Sequence, residues 1–314
     1  MKVFESLPLC EPLINPVVTI GTFDGVHLGH LKILNRLKES AKKINGQSVV
    51  ITFNPHPRQV LFPFDENLKL LTTQIEKIEY LEKNGIDVLI VIEFTKAFSR
   101  ITAMEFIRDI LVNEIGVKEL IIGYDHHFGR NREGSIDSLR EMATMFDFKV
   151  EEIPAQLIDE VAISSTKIRN AIESGDFKTA NAFLGYEFKF TGIVEHGQKL
   201  GKTIGFATAN LKIEEKTKIL PKKGVYAVRV NCNFLAYSGV MNIGYRPTVG
   251  NFEQLRVEVH IFDFDEDIYG MELAVTVVEK IRDEQKFEGI ELLKEQIRRD
   301  ILEAKKILQV VIGK

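Results

Sequence analysis

The sequence predicts an α/β domain followed by a β domain, because its hydrophobic pattern changes part-way along the 314 residues. Residues 17–153 alternate short β-branched runs with longer amphipathic stretches, which is typical of a parallel sheet covered by helices on both faces. After Gly185 the apolar residues alternate with period two and only turn residues separate the runs, as in antiparallel sheets. We therefore expect a domain boundary between residues 1–185 and 186–314.

The first domain is expected to begin with a strand, a glycine-rich turn and a helix that buries one face. Apolar residues three or four apart predict that helix, since such spacing places them on a single stripe. Two short helices separated by Ser174-Gly175-Asp176 are expected within residues 164–184. The predicted strands are Val17–Ile20, Ser48–Phe53, Val88–Ile92, Leu120–Ile122 and Phe148–Ile153, and the stripe consists of Leu28, Leu31, Leu34, Leu37, Ala41 and Ile44.

The second domain is expected to be a small antiparallel barrel with a helix at its end. Val225–Val230 and Arg256–Phe262 are two of its predicted strands, and glycine, proline and asparagine turns separate them. The final helix should cover the barrel with the apolar stripe Ile290, Leu293, Ile297, Ile301, Ala304 and Leu308.

Composition excludes several classes of partner. The chain has 41 Lys and Arg against 45 Asp and Glu, a net charge of −4, so it lacks the basic excess that supports binding to nucleic acids. No apolar run approaches the ~20 residues needed to span a bilayer, and no secretion signal is recognised, so we expect a cytosolic protein without a membrane partner. Cys10 and Cys232 lie far apart and fit reduced thiols. The oligomeric state does not follow from the sequence.

The turn after the first strand is the leading candidate for a phosphate site. It reads Gly21-Thr22-Phe23-Asp24-Gly25-Val26-His27-Leu28-Gly29-His30. Glycines allow close backbone approach, and helix N-terminal amides together with two imidazoles suit a phosphate. The alternative is a glycine-rich turn with two helix-capping histidines.

Two further features mark the second domain. Gly197, Gly201 and Gly205 recur every four residues in a loop that could wrap a phosphate, although the loop does not follow the Walker pattern. In the strand Arg256–Phe262, alternation places Glu258 and His260 opposite the apolar residues. Alternation thus displays the Glu258 carboxylate away from the apolar stripe, as it would also for a solvated glutamate on a half-exposed strand.

These motifs together resemble the bacterial bifunctional riboflavin kinase/FAD synthetase family, whose first half belongs to the nucleotidyltransferase superfamily. The likeness covers nearly the whole chain, with the motifs in the family's order. Besides the first turn they are residues 51–57 (ITFNPHP), 122–125 (IGYD) with Phe128-Gly129, 163–169 (ISSTKIR), 201–210 (GKTIGFATAN) and 242–248 (NIGYRPT).

The resemblance implies a Rossmann-like nucleotidyltransferase domain in which the phosphate of FMN attacks the α-phosphorus of ATP and pyrophosphate leaves. It implies that His27 and His30 hold the ATP phosphates and stabilise the transition state, and that Ser165, Thr166 and Arg169 meet the β and γ phosphates. Helix capping is the alternative for Ser165 and Thr166, and a structural hydrogen bond the alternative for His56 and Asp125. The other implied contacts are Gly21, Thr22, Phe23, Asp24 and Gly29 with ATP, and His56, Phe62 and Asp125 with the flavin.

In the second domain the resemblance implies phosphorylation of riboflavin by ATP. Thr208 and Asn210 would be oxygen ligands of Mg²⁺ on the ATP phosphates, and Glu258 would deprotonate the riboflavin 5′-hydroxyl. The loop residues Gly197, Gly201, Lys202 and Gly205 would bind phosphate, and Arg282 and Phe287 would contact the flavin.

Two positions depart from the family pattern: Asn131 replaces a usual glycine and Ala207 a usual proline. Asparagine tolerates positive φ, so little effect is expected at 131, whereas Ala207 lacks the fixed φ of proline next to Thr208. The sequence therefore leaves two alternatives to a bifunctional enzyme. One is an FAD synthetase with an inactive kinase domain, and the other is a flavin-binding regulator without turnover, which would not need the full set of catalytic groups.

Overall fold

The computed structural model describes residues 1–65, 67–124, 129–130, 134, 136–154, 163–197, 201, 204–247 and 253–309. The chain forms two compact units, a first unit of Met1–Ser165 and a second unit of Thr166–Lys314. The expected domain boundary after residue 185 stays a prediction. Among the described residues, no helix has the length and apolar character needed to cross a bilayer.

The first unit contains a parallel sheet in the order β1-β4-β3-β2-β5-β6. The sheet order reverses at β2, and the carboxyl end of such a strand is where open α/β sheets bind ligands. All five predicted strands are confirmed, whereas the short edge strand β1 was not predicted. The strands are β1 (Lys2–Phe4), β2 (Val17–Ile20), β3 (Ser48–Asn54), β4 (Val88–Glu93), β5 (Glu119–Gly123) and β6 (Lys149–Ile153).

Helices cover this sheet and bury its branched side chains. The predicted stripe is confirmed at its centre, where Leu34, Leu37 and Ala41 of the first helix are buried, while Ile44 lies just past the helix end. The helices are α1 (Leu28–Lys43), α2 (Pro57–Leu61), α3 (Gln74–Lys83), α4 (Ala103–Glu105), which continues into a π-helical segment (Phe106–Glu114), and α5 (Ile136–Phe146).

Two short helices follow, as the sequence predicts: α6 (Ser165–Ser174) and α7 (Phe177–Leu184). The amide of Thr179 donates to the Asp176 carboxylate (3.0 Å), so Asp176 caps the start of α7. Gly185, with φ of +80°, ends α7 in the left-handed conformation that glycine adopts without strain.

The second unit contains a closed antiparallel barrel in the order β10-β11-β8-β7-β12-β9, which confirms the predicted architecture. The final helix packs Ala304 and Leu308 against Ala227 and Phe262 of the barrel. Of its predicted stripe, Ile290 is exposed, because it lies at the first turn. The elements are β7 (Lys189–Glu195), β8 (Ala209–Lys212), β9 (Gly224–Cys232), β10 (Leu235–Pro247), β11 (Glu253–Ile261), β12 (Glu272–Arg282) and α8 (Ile290–Ile307).

Candidate active sites

The glycine-rich turn between β2 and α1 holds an unusual backbone conformation at the carboxyl end of the central strand. Phe23 and Val26 have φ values of +47° and +37°, and Gly25 has +88°. Positive φ is rare for a β-branched residue such as Val26, and strain of this kind concentrates at functional sites. The Gly25 amide donates to the hydroxyl of Thr72 (3.1 Å), which helps to hold the turn in this form.

Asp24 anchors this turn to the segment that precedes α3. Its buried carboxylate accepts hydrogen bonds from the amides of Leu71 (2.8 Å) and Thr72 (3.2 Å). The Ser165 hydroxyl donates to the Asp24 carbonyl (3.0 Å). The predicted contact residues Asp24 and Ser165 are thus brought together, and the contacts that the structure gives them hold the turn in place.

His27 and His30 lie with their rings stacked, 3.7 Å between centroids and 15° from parallel. His27 Nδ1 accepts from the His30 amide (3.4 Å), so His27 is the N-cap residue of α1. Because Nδ1 is the acceptor, the proton of the neutral ring lies on Nε2, which makes that nitrogen a donor. Capping and phosphate binding are therefore compatible in one side chain.

His30 has a buried polar atom that a ligand could satisfy. Its Nδ1 is inaccessible to solvent and has no hydrogen-bond partner among the residues the structure describes. Burial, followed by the positive charges that His27 and Lys77 can carry, holds the pKa of His30 well below its usual value. The ring is therefore neutral at neutral pH, and a phosphate oxygen could serve as a partner for Nδ1.

Two glycines of the turn leave room for these rings. A Cβ on Gly29 would lie 3.1 Å from the His27 ring, and one on Gly21 would lie 3.0 Å from the ring of Phe23. Both distances are tighter than ordinary contact, so a side chain at either position would displace a ring. The glycine spacing noted in the sequence thus has a packing reason beside the phosphate site.

The remaining predicted residues of the adenylyl-transfer site fall into three groups. His56 caps α2 by accepting from the Arg58 amide (3.2 Å), and Phe62 at the end of α2 is 60% exposed; their flavin contacts stay predictions. Thr166 and Arg169 lie on α6 in the second unit, and their phosphate contacts stay predictions. Asp125 and Asn131, like Lys202 of the second unit, lie outside the described residues.

In the second unit, residues of the barrel strands and of α8 line a cavity of about 370 Å³, within the size range of small-molecule sites. Its walls bring together most of the residues that sequence motifs assign to kinase chemistry, although those residues come from three separate stretches of chain. The predicted residues that line the cavity are Gly201, Thr208, Asn210, Glu258, Arg282 and Phe287. Gly197 and Gly205 lie outside this lining.

Strand register explains how these residues meet. Glu258 on β11 is the cross-strand partner of Asn210 on β8, and on its other side it is the partner of Asn242 on β10. Val257, Val259 and Ile261 are buried in the barrel core, so alternation turns Glu258 to the opposite face, as predicted. A carboxylate thus lies between two amide side chains in one row across the barrel. Asn242 is the first residue of the motif at 242–248, but it was not among the predicted site residues.

The loop before β8 is closed over the two expected metal ligands. A Cβ on Gly197 would overlap the side-chain amide of Asn210, and one on Gly201 would overlap the Phe206 carbonyl and lie 3.2 Å from the Thr208 hydroxyl. The Phe206 amide donates to the Gly201 carbonyl (2.8 Å). A side chain at 201 would therefore clash with the backbone, and a side chain at 197 would displace the Asn210 amide.

This donor set fits a magnesium ion that arrives with a nucleotide. A hydroxyl and an amide oxygen are hard ligands, but two neutral oxygens hold a free cation weakly, so phosphate oxygens must complete the shell. Within the described part of the chain, no cluster of three His, Cys, Asp or Glu side chains could bind a metal by itself.

Ala207, which stands where the family pattern has proline, is held by a hydrogen bond to its carbonyl oxygen. His260 Nδ1 lies 2.7 Å from the carbonyl oxygen of Ala207, and since a carbonyl only accepts, the ring nitrogen donates. His260 lies two residues beyond Glu258 on the same face of β11. This hydrogen bond ties the residue before Thr208 to the strand that carries the expected base.

Arg282 occupies the end of β12 beside the cavity. It forms a bidentate ion pair with the buried carboxylate of Asp300 on α8 (Nε–Oδ1 2.9 Å, Nη2–Oδ2 2.7 Å). Gln296 also donates to Asp300 (2.9 Å), and the guanidinium carbon lies 5.8 Å from the ring centroid of Phe287. Leu293, Ile297 and Ile301 of α8 add an apolar wall to the cavity.

Comparison with known proteins agrees with the two units. A family model for FAD synthetase matches residues 11–167, and one for riboflavin kinase matches residues 184–308. A Haemophilus influenzae protein named bifunctional riboflavin kinase/FMN adenylyltransferase is 41% identical and covers 92% of each chain. Proteins of the same name from Escherichia coli K12 (40%, covering 92% of this chain and 91% of theirs) and Listeria monocytogenes (38%, 91% and 90%) are similarly close.

A solved structure shares the whole architecture. It is described as a macrolide-efflux protein from Streptococcus pneumoniae, and it matches with a TM-score of 0.83 and 32% identity over 93% of this chain and 94% of that one. The similarity therefore covers residues of both units.

Proposed function

The chain belongs to the bifunctional riboflavin kinase/FMN adenylyltransferase family, and on that premise we propose which residues perform each reaction. Riboflavin is phosphorylated to FMN in the second unit, and FMN is adenylylated to FAD in the first, with ATP as the nucleotide substrate of both. The observation that carries the assignment is the row of Asn242, Glu258 and Asn210 across the wall of the barrel cavity.

In the kinase reaction, Glu258 is the general base. Its carboxylate accepts the proton of the riboflavin 5′-hydroxyl as that oxygen attacks the γ-phosphorus of ATP, and ADP leaves. The flanking Asn210 and Asn242 offer amide groups that orient the hydroxyl and the phosphates. Thr208 and Asn210 would hold Mg²⁺, which neutralises phosphate charge when it is bound.

The apolar part of the cavity suits the ring system of a flavin. Phe287 and the α8 side chains Leu293, Ile297 and Ile301 supply flat and branched apolar surface. Arg282 has its guanidinium fixed by Asp300 and lies beside that surface, where it contacts the flavin. The cavity therefore combines an apolar wall with the polar row that faces the hydroxyl.

In the adenylyl transfer, no covalent enzyme intermediate is needed, because the FMN phosphate is itself the nucleophile. Its oxygen attacks the α-phosphorus of ATP and the bond to the bridging oxygen of pyrophosphate breaks. His27 donates from Nε2 and His30 offers a buried ring nitrogen, so both hydrogen-bond the phosphates as charge develops. The FMN made in the second unit is the substrate of the first.

The experiment that tests the kinase assignment compares Glu258→Gln with Glu272→Gln, an exposed glutamate on β12 that serves as the matched control. Loss of the general base should slow FMN formation from riboflavin by about 10²–10⁴-fold, whereas the control should match the wild type. FAD formation from supplied FMN should be unchanged in both. Equal FMN formation by the two variants would contradict the role of Glu258.

A further inference from the structure

Lys77 lies buried beneath the glycine-rich turn of the first unit, although its neighbours along α3 are largely polar. Its side chain is 6% exposed. Nζ donates to the hydroxyl of Thr52 on β3 (3.3 Å), and that hydroxyl donates in turn to the carbonyl of Thr22 (3.3 Å). A chain of two hydrogen bonds thus connects a buried ammonium to the backbone of the turn.

The Lys77 ammonium has fewer hydrogen-bond partners than donors within the part of the chain that the structure describes. An ammonium has three N–H donors, and among the described residues the bond to Thr52 is the hydrogen bond that Lys77 makes. The carboxylate of Asp24 attracts it electrostatically, but that carboxylate already accepts from the amides of Leu71 and Thr72. A buried charge with unused donors is costly, which favours a role toward a ligand.

The charges around Lys77 come from the turn and from α1. Asp24 lies on the turn and tends to keep the lysine protonated, while burial has the larger effect and lowers the pKa of Lys77 to about 8. His30 on α1 senses the positive charge of Lys77, which contributes to its own lowered pKa. Lys77 is therefore a cation whose charge acts on the His30 ring.

We propose that Lys77 is a positioning residue for adenylyl transfer, whose buried positive charge holds the turn through Thr52 and Asp24 and favours binding of the ATP polyphosphate beside His27 and His30. The proposal rests on the adenylyl-transfer function argued above. A polyphosphate carries several negative charges, and a fixed cation in a low-dielectric site interacts with them more strongly than a solvated one. A neutral side chain could fill the space, but it could not supply this charge.

The test compares Lys77→Met and Lys77→Arg with Lys83→Met, a control that removes an exposed lysine from the same helix. FAD formation from FMN is measured over a range of ATP concentrations. Lys77→Met should lower kcat/KM for ATP by at least about tenfold, with Lys77→Arg recovering much of the loss and Lys83→Met matching the wild type. FMN formation from riboflavin should stay within about twofold in all three, because the kinase groups lie in the second unit.

A pH profile separates this role from simple packing. Wild-type kcat/KM for ATP should fall above about pH 8 as Lys77 loses its proton. Lys77→Arg should lack this alkaline fall, since arginine stays charged.

Failure of the proposed function and failure of the role of Lys77 give different results. Wild-type protein that makes no FAD from FMN would overturn the proposed function itself. Active wild-type protein with a Lys77→Met variant equal to Lys83→Met would overturn the role of Lys77 alone. Should Lys77→Met fail to fold, Lys77→Arg decides: loss of the alkaline fall supports the proposal, and an unchanged fall overturns it.

Discussion

Arg282 and Asp300 form a bidentate ion pair that joins the last barrel strand to the C-terminal helix at the wall of the cavity. The Asp300 side chain is 4% exposed and that of Arg282 is 16% exposed, so water competes little for either group. A guanidinium held at two points keeps a fixed plane, which suits stacking and directed hydrogen bonds. Helix α8 therefore contributes to the site by fixing Arg282, which lies on β12.

Replacing Asp300 with alanine should damage both stability and kinase activity. The change leaves a largely buried guanidinium unpaired, which typically costs about 3–5 kcal/mol of unfolding free energy. FMN formation should fall by at least about tenfold as Arg282 loses its orientation, while FAD formation from FMN should persist. Denaturant unfolding and the two flavin assays measure these effects.

Glu295→Ala is the matched control, because it breaks an exposed ion pair with Arg299 on the same helix. Such surface pairs contribute about 0–1 kcal/mol, so stability and both activities should barely change. Asp300→Ala protein with normal FMN formation would show that Arg282 does not need its partner.

His30→Ala should abolish most adenylyl transfer and spare the kinase. Loss of one donor to a developing phosphate charge costs about 10²–10³-fold in rate. The readout is FAD formed from FMN, with FMN formed from riboflavin as the internal reference. Parallel loss of both activities in folded His30→Ala protein would argue against the division of the two reactions between the units.

Stability of the wild type should rise with pH between about 8 and 10.5, relative to Lys77→Met. Burial lowers the pKa of Lys77 from 10.5 to about 8, so in this window the unfolded chain binds a proton that the folded chain has released. Because the folded state binds fewer protons in this window, rising pH favours it. The unfolding free energy should increase by about 3 kcal/mol over the whole window. Denaturant midpoints of the two proteins at pH 7.5, 9 and 10, chosen to bracket that window, measure it. A constant difference across the series would contradict the lowered pKa.

Ala207→Pro should leave FMN formation within about twofold of the wild type, because the hydrogen bond from His260 already fixes the residue before Thr208. His260→Ala should lower FMN formation by about tenfold, since a small displacement of a ligand-bearing loop is costly to catalysis. Proline in the double variant should restore part of that loss. Steady-state kinetics of the three variants form a double-mutant cycle.

A different result would favour the alternative of a silent kinase. If Ala207→Pro alone raised FMN formation by about tenfold or more, the alanine would limit the kinase rate in spite of the hydrogen bond from His260. A cycle without coupling would show that the two residues act independently.

Much of the fold follows from the sequence, because buried parallel strands and alternating barrel strands have distinct patterns. The strand Lys2–Phe4 was not predicted, because three residues are too few to show a hydrophobic periodicity. Its pairing with β4 depends on the tertiary fold.

The candidate sites were predicted unevenly for a similar reason. Glu258 and the histidine pair lie in recognisable motifs, whereas Lys77 and Asp300 sit in helices rich in charged residues. Lys77 lies next to Glu76, and Asp300 follows Arg298 and Arg299, so both resemble solvated helix faces. Only the packing of α3 under the turn and of α8 on the barrel shows that they are buried.

The central claim is that one chain performs two consecutive reactions, and it is tested most directly by incubating the purified protein with riboflavin, ATP and Mg²⁺ and separating the flavins by chromatography. A parallel reaction starts from FMN. We expect FMN followed by FAD in the first reaction, and FAD in the second. No conversion in either reaction would contradict it in favour of a binding role, and FAD from FMN without any FMN from riboflavin would contradict the kinase half.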